Sequence, residues 1–192
     1  MVDFSLIPNP TGSYTTIAAD ITERREAEDE LRGAYSVIAS SIQYASRIQR
    51  SVLQHVRRMS MSVEEHFILW EPRDVVGGDV YCAGLWGDGT LIVLGDCTGL
   101  GVPSAFMTLI AAGALERACT EVPPGSVEQL VNRNHQLVQI TLGQHVSGGE
   151  SDDELEHGAC YLQPGNQSLT FVGCTIRLVH RVGGADFATE RQ

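Results

Sequence analysis

Hydrophobic and polar positions change period four times along this chain. Residues 2 to 19 alternate in two short extended segments, Val2 to Ile7 and Tyr14 to Ala19, on either side of Asn9-Pro10-Thr11-Gly12. Proline fixes one turn dihedral and glycine admits a positive one, so the pattern predicts a β-hairpin. A two-stranded hairpin is marginal alone and needs a surface to pack on. From Asp20 or Thr22, either of which can cap a helix, the period becomes helical. The first turns are acidic (Glu23, Glu26, Glu28, Asp29, Glu30), matching the positive end of the helix dipole. Leu31, Tyr35, Ile38, Ile42, Ala45, Val52, Val56 and Met59 then alternate steps of four and three, with Gln49 breaking the seam. About four heptads of this kind predict a helix that pairs with another helix, here its copy in a second chain. A long amphipathic helix lying on its own domain is the alternative.

From His66 the period shortens to that of strands. Phe67 to Trp70, Val80 to Trp86 and Thr90 to Gly95 read as strands, with Gly87-Asp88-Gly89 as a hairpin turn. Leu91 to Leu94 has no polar alternation and predicts a strand buried on both faces. Pro103 suits the first turn of a helix whose inner stripe is Phe106, Leu109, Ile110, Gly113 and Arg117. After Pro123-Pro124-Gly125, Ser126 and Gln129 form a capping box for a second helix with Val127, Leu130, Val131, Leu137 and Val138 inside. His135 on that helix reads as a surface or partly packed residue rather than a ligand, since no second ligand lies one turn away. Residues 143 to 156 form a solvated acidic loop that lacks the ligand spacing of an EF-hand calcium site. Strands return at His157 to Gln163, Ser168 to Gly173 and Thr175 to Val182.

Composition narrows the partners. The chain has 192 residues, enough for one sizeable core plus an extension. Net charge is −11 and all 13 basic residues are arginines, so no basic surface for a nucleic-acid backbone is expected. Five scattered cysteines fit neither a disulfide framework nor a zinc site, and no apolar run spans a bilayer. The expectation is a cytoplasmic protein without a membrane segment.

Two aspartates stand out. Asp79 and Asp96 each follow glycine at a strand end, and Asp96 opens the turn Gly95-Asp96-Cys97-Thr98-Gly99-Leu100-Gly101. Such carboxylates suit magnesium or manganese, which take hard oxygen ligands. Spacing alone leaves turn punctuation equally open. Beyond spacing, PRDVVGGDVY (72–81) and GDCTGLGVPSAFM (95–107) resemble the two N-terminal motifs of the PPM-type, SpoIIE-like metal-dependent serine/threonine phosphatases. DDELEHGACYL (152–162) and LTFVGCTIRL (169–178) resemble that family's next strands. IAADITERREAEDEL (17–31) resembles the end of a PAS sensor domain with its exit helix, and YASRIQRSVL (44–53) the helix that enters such phosphatases.

The resemblance implies an α+β fold, a four-layer α-β-β-α sandwich of antiparallel sheets that is incomplete here, behind a long linker helix. It divides the chain into a PAS remnant (1–21), a coiled-coil-like signalling linker (22–60) and the N-terminal portion of a phosphatase domain (61–192). Asp96 would bridge two Mn2+ or Mg2+ ions, the Cys97 carbonyl would be a ligand, and Asp79 would bind metal or a water on it. Arg73 is a candidate phosphate contact through its charge and fork geometry, with a surface ion pair as the equal alternative. The implied activity is hydrolysis of a phosphoserine or phosphothreonine protein, such as an anti-sigma-factor antagonist, by metal-activated water, in a homodimer joined through the linker helix. Leu100 stands where the family has a glycine-flanked histidine, and family members continue past the equivalent of Gln192 into segments with further metal-binding aspartates. These departures make a catalytically impaired dimerisation or regulatory module the alternative.

Overall fold

The computed structural model describes residues 1–10, 12–56, 66–144, 155–173, 175–182 and 185–188. The chain is α+β and divides into two units, 1–42 and 43–192. In the first unit, β1 (Val2–Pro8) and β2 (Tyr14–Asp20) pair antiparallel from Val2 opposite Asp20 to Pro8 opposite Tyr14. The turn closes through the Asn9 N–H, which donates to the Ser13 carbonyl at 2.8 Å, and through Gly12, whose φ of 80° suits glycine. Every strand residue is exposed. Asp20 rather than Thr22 caps the helix that follows: its Oδ1 accepts from the Thr22 N–H at 3.0 Å and the Thr22 hydroxyl at 2.6 Å.

Helix α1 (Thr22–Val56) carries Leu31, Tyr35 and Ile38 exposed along the expected seam. Its last turns belong to the second unit, and there the buried residues are Ser46, Gln49 and Leu53. Gln49 therefore does not interrupt a stripe. It lies at the centre of a different one. Ile42, Ala45 and Val52 of the same seam are half-buried, and Met59 lies outside the described residues.

The second unit is built on an antiparallel sheet in the order β3 (Asp79–Trp86), β4 (Gly89–Cys97), β5 (Leu155–Gln163), β6 (Ser168–Gly173). Helices α2 (Val102–Glu121) and α3 (Val127–Thr141) cover one face of it. That face presents Val80, Cys82 and Trp86 from β3, Leu91, Val93 and Cys97 from β4, and Leu155, Ala159 and Tyr161 from β5, all buried. The opposite face carries Leu85 and Leu94, both more than 40 % exposed. The expectation that Leu91 to Leu94 is buried on both faces is thus corrected: successive side chains alternate, and only Leu91 and Val93 point at the helices. A separate hairpin of β7 (Val179–Val182) and β8 (Ala185–Ala188) follows. The expected strand at 175–182 contracts to its last four residues.

Three further expectations change. In α2 the buried residues are Ser104, Ala105, Met107, Thr108, Ala111, Ala112, Ala114, Leu115 and Ala118, whereas Phe106, Gly113 and Arg117 are exposed. The helix is apolar almost all round, so periodicity does not identify its inner face; small alanines do, because they let it approach the sheet closely. In α3 the expected inner residues are buried or half-buried, joined by Asn134, but Ser126 makes no side-chain cap hydrogen bond and the capping box does not form. Residues Phe67 to Trp70 are not in a strand. Most of the acidic loop, residues 145–154, lies outside the described residues.

The β3–β4 hairpin is locked from below by Tyr161. Its hydroxyl lies 2.8 Å from the Trp86 carbonyl oxygen and 2.9 Å from Asp88 Oδ1, and its ring meets that of Trp86 edge-on at 5.5 Å. A Cβ at Gly89 would sit 2.5 Å from the Tyr161 ring, so only glycine fits there.

Candidate metal centre

The sheet register, set by that hairpin, determines what happens at its far end. Asp79 is the first residue of β3, and it pairs directly with Asp96 near the end of β4. Paired residues project to the same face, with Cβ atoms about 4.5–5.5 Å apart. The next strand continues the row, since Asp96 pairs on its other side with Glu156. Glu156 was expected in a solvated loop; it is instead the second residue of β5, where its Oε2 accepts a 2.5 Å hydrogen bond from the Thr175 hydroxyl. Leu155, on the helix-facing side of β5 with His157, Ala159 and Tyr161, is the apolar residue before Glu156 that marks the strand as starting there.

Three carboxylates thus cross adjacent strands on one exposed face. Desolvation, then the charges of Asp79 and Glu156, raise the Asp96 carboxyl above the ordinary carboxylate value. Like charges directly opposite across a sheet are destabilising, and a cation is what would relieve them. Among the described residues, no group of three or more His, Cys, Asp or Glu side chains is gathered closely enough to hold a metal ion. The donors that are present, carboxylates and nearby carbonyls, are hard oxygen ligands of the kind magnesium and manganese take.

The loop before β3 fixes these donors. Gly78 accepts a hydrogen bond on its carbonyl from the Cys97 N–H at 3.1 Å. A Cβ on Gly78 would lie 2.7 Å from the Cys97 carbonyl oxygen and 3.2 Å from the Ser104 Cβ, so the glycine is required by close approach. Asp79 and the Cys97 carbonyl, both implied ligands, are therefore held against the same residue. Beyond Cys97, Gly99 and Gly101 take φ of 95° and 72°, and Leu100 between them is 65 % exposed. Arg73 is exposed on the same approach to Gly78, and no ion pair among the described residues involves it.

Trp70 forms a wall beside the row. Its indole N–H donates to the Asp79 carbonyl at 3.3 Å, its ring packs on Tyr81 at 6.4 Å, and the Arg50 guanidinium lies over it at 5.9 Å. Together with Tyr81, Leu94 and Ile176 it lines an open cleft of about 420 Å3 that has Asp79 and Asp96 in its wall.

Among solved structures, the chain is similar to the SiaA-PP2C domain of Pseudomonas aeruginosa, with 33 % identity and a TM-score of 0.71. The match covers 82 % of this chain and 62 % of that one. The fold is of the PP2C type. It is the fold of the PPM-type phosphatases, which the glycine-aspartate motifs resemble. The chain spans less than two thirds of the length of the PP2C domain it matches. No family model matches the chain, and no curated protein matches it. Among the described residues, no helix is long and apolar enough to cross a membrane.

Proposed function

We propose that this PP2C-type chain is a metal-dependent phosphoserine/phosphothreonine protein phosphatase of a bacterial signalling pathway. The observation that carries the reading is the direct cross-strand pairing of Asp79 with Asp96 at the wall of an open cleft. Mn2+ or Mg2+, when bound, would supply charge neutralisation at a phosphoryl group and an activated water. Asp79, Asp96 and the Cys97 carbonyl would hold it. Arg73, exposed and cationic beside that loop, would orient the phosphate of the substrate. The apolar cleft wall of Trp70, Tyr81 and Leu94 would receive the side chains flanking the phosphorylated residue and exclude water from it.

In the same reading the N-terminal hairpin is the remnant of a PAS domain (1–21), α1 is a signalling linker that forms a cytoplasmic homodimer, and the substrate is a regulatory phosphoprotein of the anti-sigma-factor antagonist kind. The partly exposed face of β3 and β4 would meet a second sheet in a four-layer sandwich. A second reading, a phosphatase fold retained as a dimerisation or regulatory module, is favoured by the apolar, exposed Leu100 at the lip of the site.

The test is manganese-dependent phosphate release from a phosphoserine peptide by this chain, with Asp96→Asn beside it. Turnover that requires both manganese and Asp96 supports the phosphatase. A folded protein that binds manganese without turnover supports the regulatory module.

A further inference from the structure

Gln49 is buried to 1 % exposure on α1, far along the chain from the candidate metal centre. A buried primary amide costs stability unless both of its ends are satisfied. Here both are. Its Nε2 donates to the Gly77 carbonyl at 2.6 Å and to the Thr108 hydroxyl at 2.9 Å, while its Oε1 accepts from the Gly77 N–H at 3.3 Å. One side-chain amide therefore satisfies both backbone groups of Gly77, much as a neighbouring strand would. Thr108, fully buried, donates its hydroxyl hydrogen bond to the Ala105 carbonyl at 2.7 Å and so keeps a lone pair for Gln49. The network has one consistent orientation of the amide.

What this clamp holds is the loop that places the donors. Gly77 is followed by Gly78, which bonds the Cys97 N–H and lies against the Cys97 carbonyl, and then by Asp79. Gly77 has little freedom of its own on the other side, where a Cβ would meet Pro72 at 2.8 Å. Without the amide, two glycines in succession would leave the approach to Asp79 conformationally loose.

We propose that Gln49 is a positioning residue for the metal centre, fixing Asp79 and the Cys97 carbonyl through Gly77 and Gly78, with Thr108 fixing Gln49. This rests on the metal-site reading above. It adds that the last turns of α1 are part of the centre's support rather than only a tether. Groups that orient metal ligands from behind typically change metal affinity 10–100-fold when removed.

The test is manganese affinity measured by calorimetry and by the electron paramagnetic resonance of free Mn2+, together with peptide turnover at saturating manganese. Gln49→Met keeps the volume of the side chain and loses the amide. It should weaken manganese binding about tenfold or more, with a cooperative unfolding transition retained in chelator. Thr108→Val should weaken binding in the same direction and Thr108→Ser, which keeps the hydroxyl, should not; this pair also serves if Gln49→Met does not fold. Wild-type affinity in Thr108→Val, or in a folded Gln49→Met, overturns the inference while leaving the metal site standing. A wild-type chain that binds no manganese overturns the metal-site reading, and this inference with it.

Discussion

Asp79 and Asp96 face one another across adjacent antiparallel strands, with Glu156 next in the row. The pairing concentrates negative charge at a place where a folded protein alone gains nothing from it. Sites of this kind trade stability for function.

That trade can be measured at Asp96. Its raised carboxyl means that the penalty for ionising it is absent below about pH 3.8, grows as pH rises through the folded-state value and is complete at neutral pH. Asp96→Asn should therefore raise the thermal midpoint of the metal-free protein at pH 7 and leave it nearly unchanged near pH 3. It should also abolish stabilisation by manganese, which in the wild type reaches about 2.7 kcal/mol at a hundredfold excess over Kd. Thermal scans in chelator and in manganese check both halves; equal manganese shifts in the two proteins would reject Asp96 as a ligand.

Gly78 offers a steric test of the same site. An alanine there meets the Cys97 carbonyl at 2.7 Å and must push it or the loop aside. Gly78→Ala should destabilise by about 1–3 kcal/mol in urea unfolding, the usual cost of overpacking, and should lose manganese binding. Wild-type stability would mean that the β3 and β4 ends separate more easily than their register suggests.

The exposed stripe of α1 makes a prediction about assembly. Leu31, Tyr35 and Ile38 are each more than half exposed, on turns that the first unit leaves uncovered. If they meet their copies in a homodimer, Ile38→Asp should reduce the mass seen by light scattering to that of a single chain at micromolar concentration. A mass unchanged by the substitution would remove this seam from the interface.

His157 sets an acid limit. Its Nε2 lies 3.2 Å from the Val131 carbonyl, and burial holds its pKa below the ordinary value. The unfolded chain takes up a proton near pH 6.5 and the folded chain does not, so stability should fall as pH drops below about 6.5 and stop falling below the lowered folded-state value. The slope from this residue is at most about 1.4 kcal/mol per pH unit. His157→Gln, followed by urea unfolding between pH 5 and 8, should flatten it; an identical slope in both proteins would assign the acid sensitivity elsewhere.

Much of this arrangement was legible in the chain and some was not, for definite reasons. Gly87-Asp88-Gly89 between two apolar runs marks the β3–β4 hairpin, and once that turn is placed the pairing of Asp79 with Asp96 follows by counting. Local signals suffice when the contact is local. Glu156 is hidden because it sits beside an acidic loop and looks like its continuation, whereas its pairing with Asp96 joins strands separated by both helices. The inner face of α2 is hidden because alanine carries little periodic contrast. Gln49 is misread for the opposite reason: a polar residue in an apolar seam looks like a flaw until its partners, Gly77 and Thr108, come from elsewhere in the chain.

The hydrogen bond from the Gly77 N–H to Gln49 Oε1 spans 28 residues of sequence. An amide in a loop usually exchanges with solvent deuterium quickly, because nothing but the loop protects it. This one is protected by a helix. Its exchange can proceed only when the end of α1 lifts away or the unit unfolds, so the deuterium uptake of a single loop glycine times the undocking of the helix.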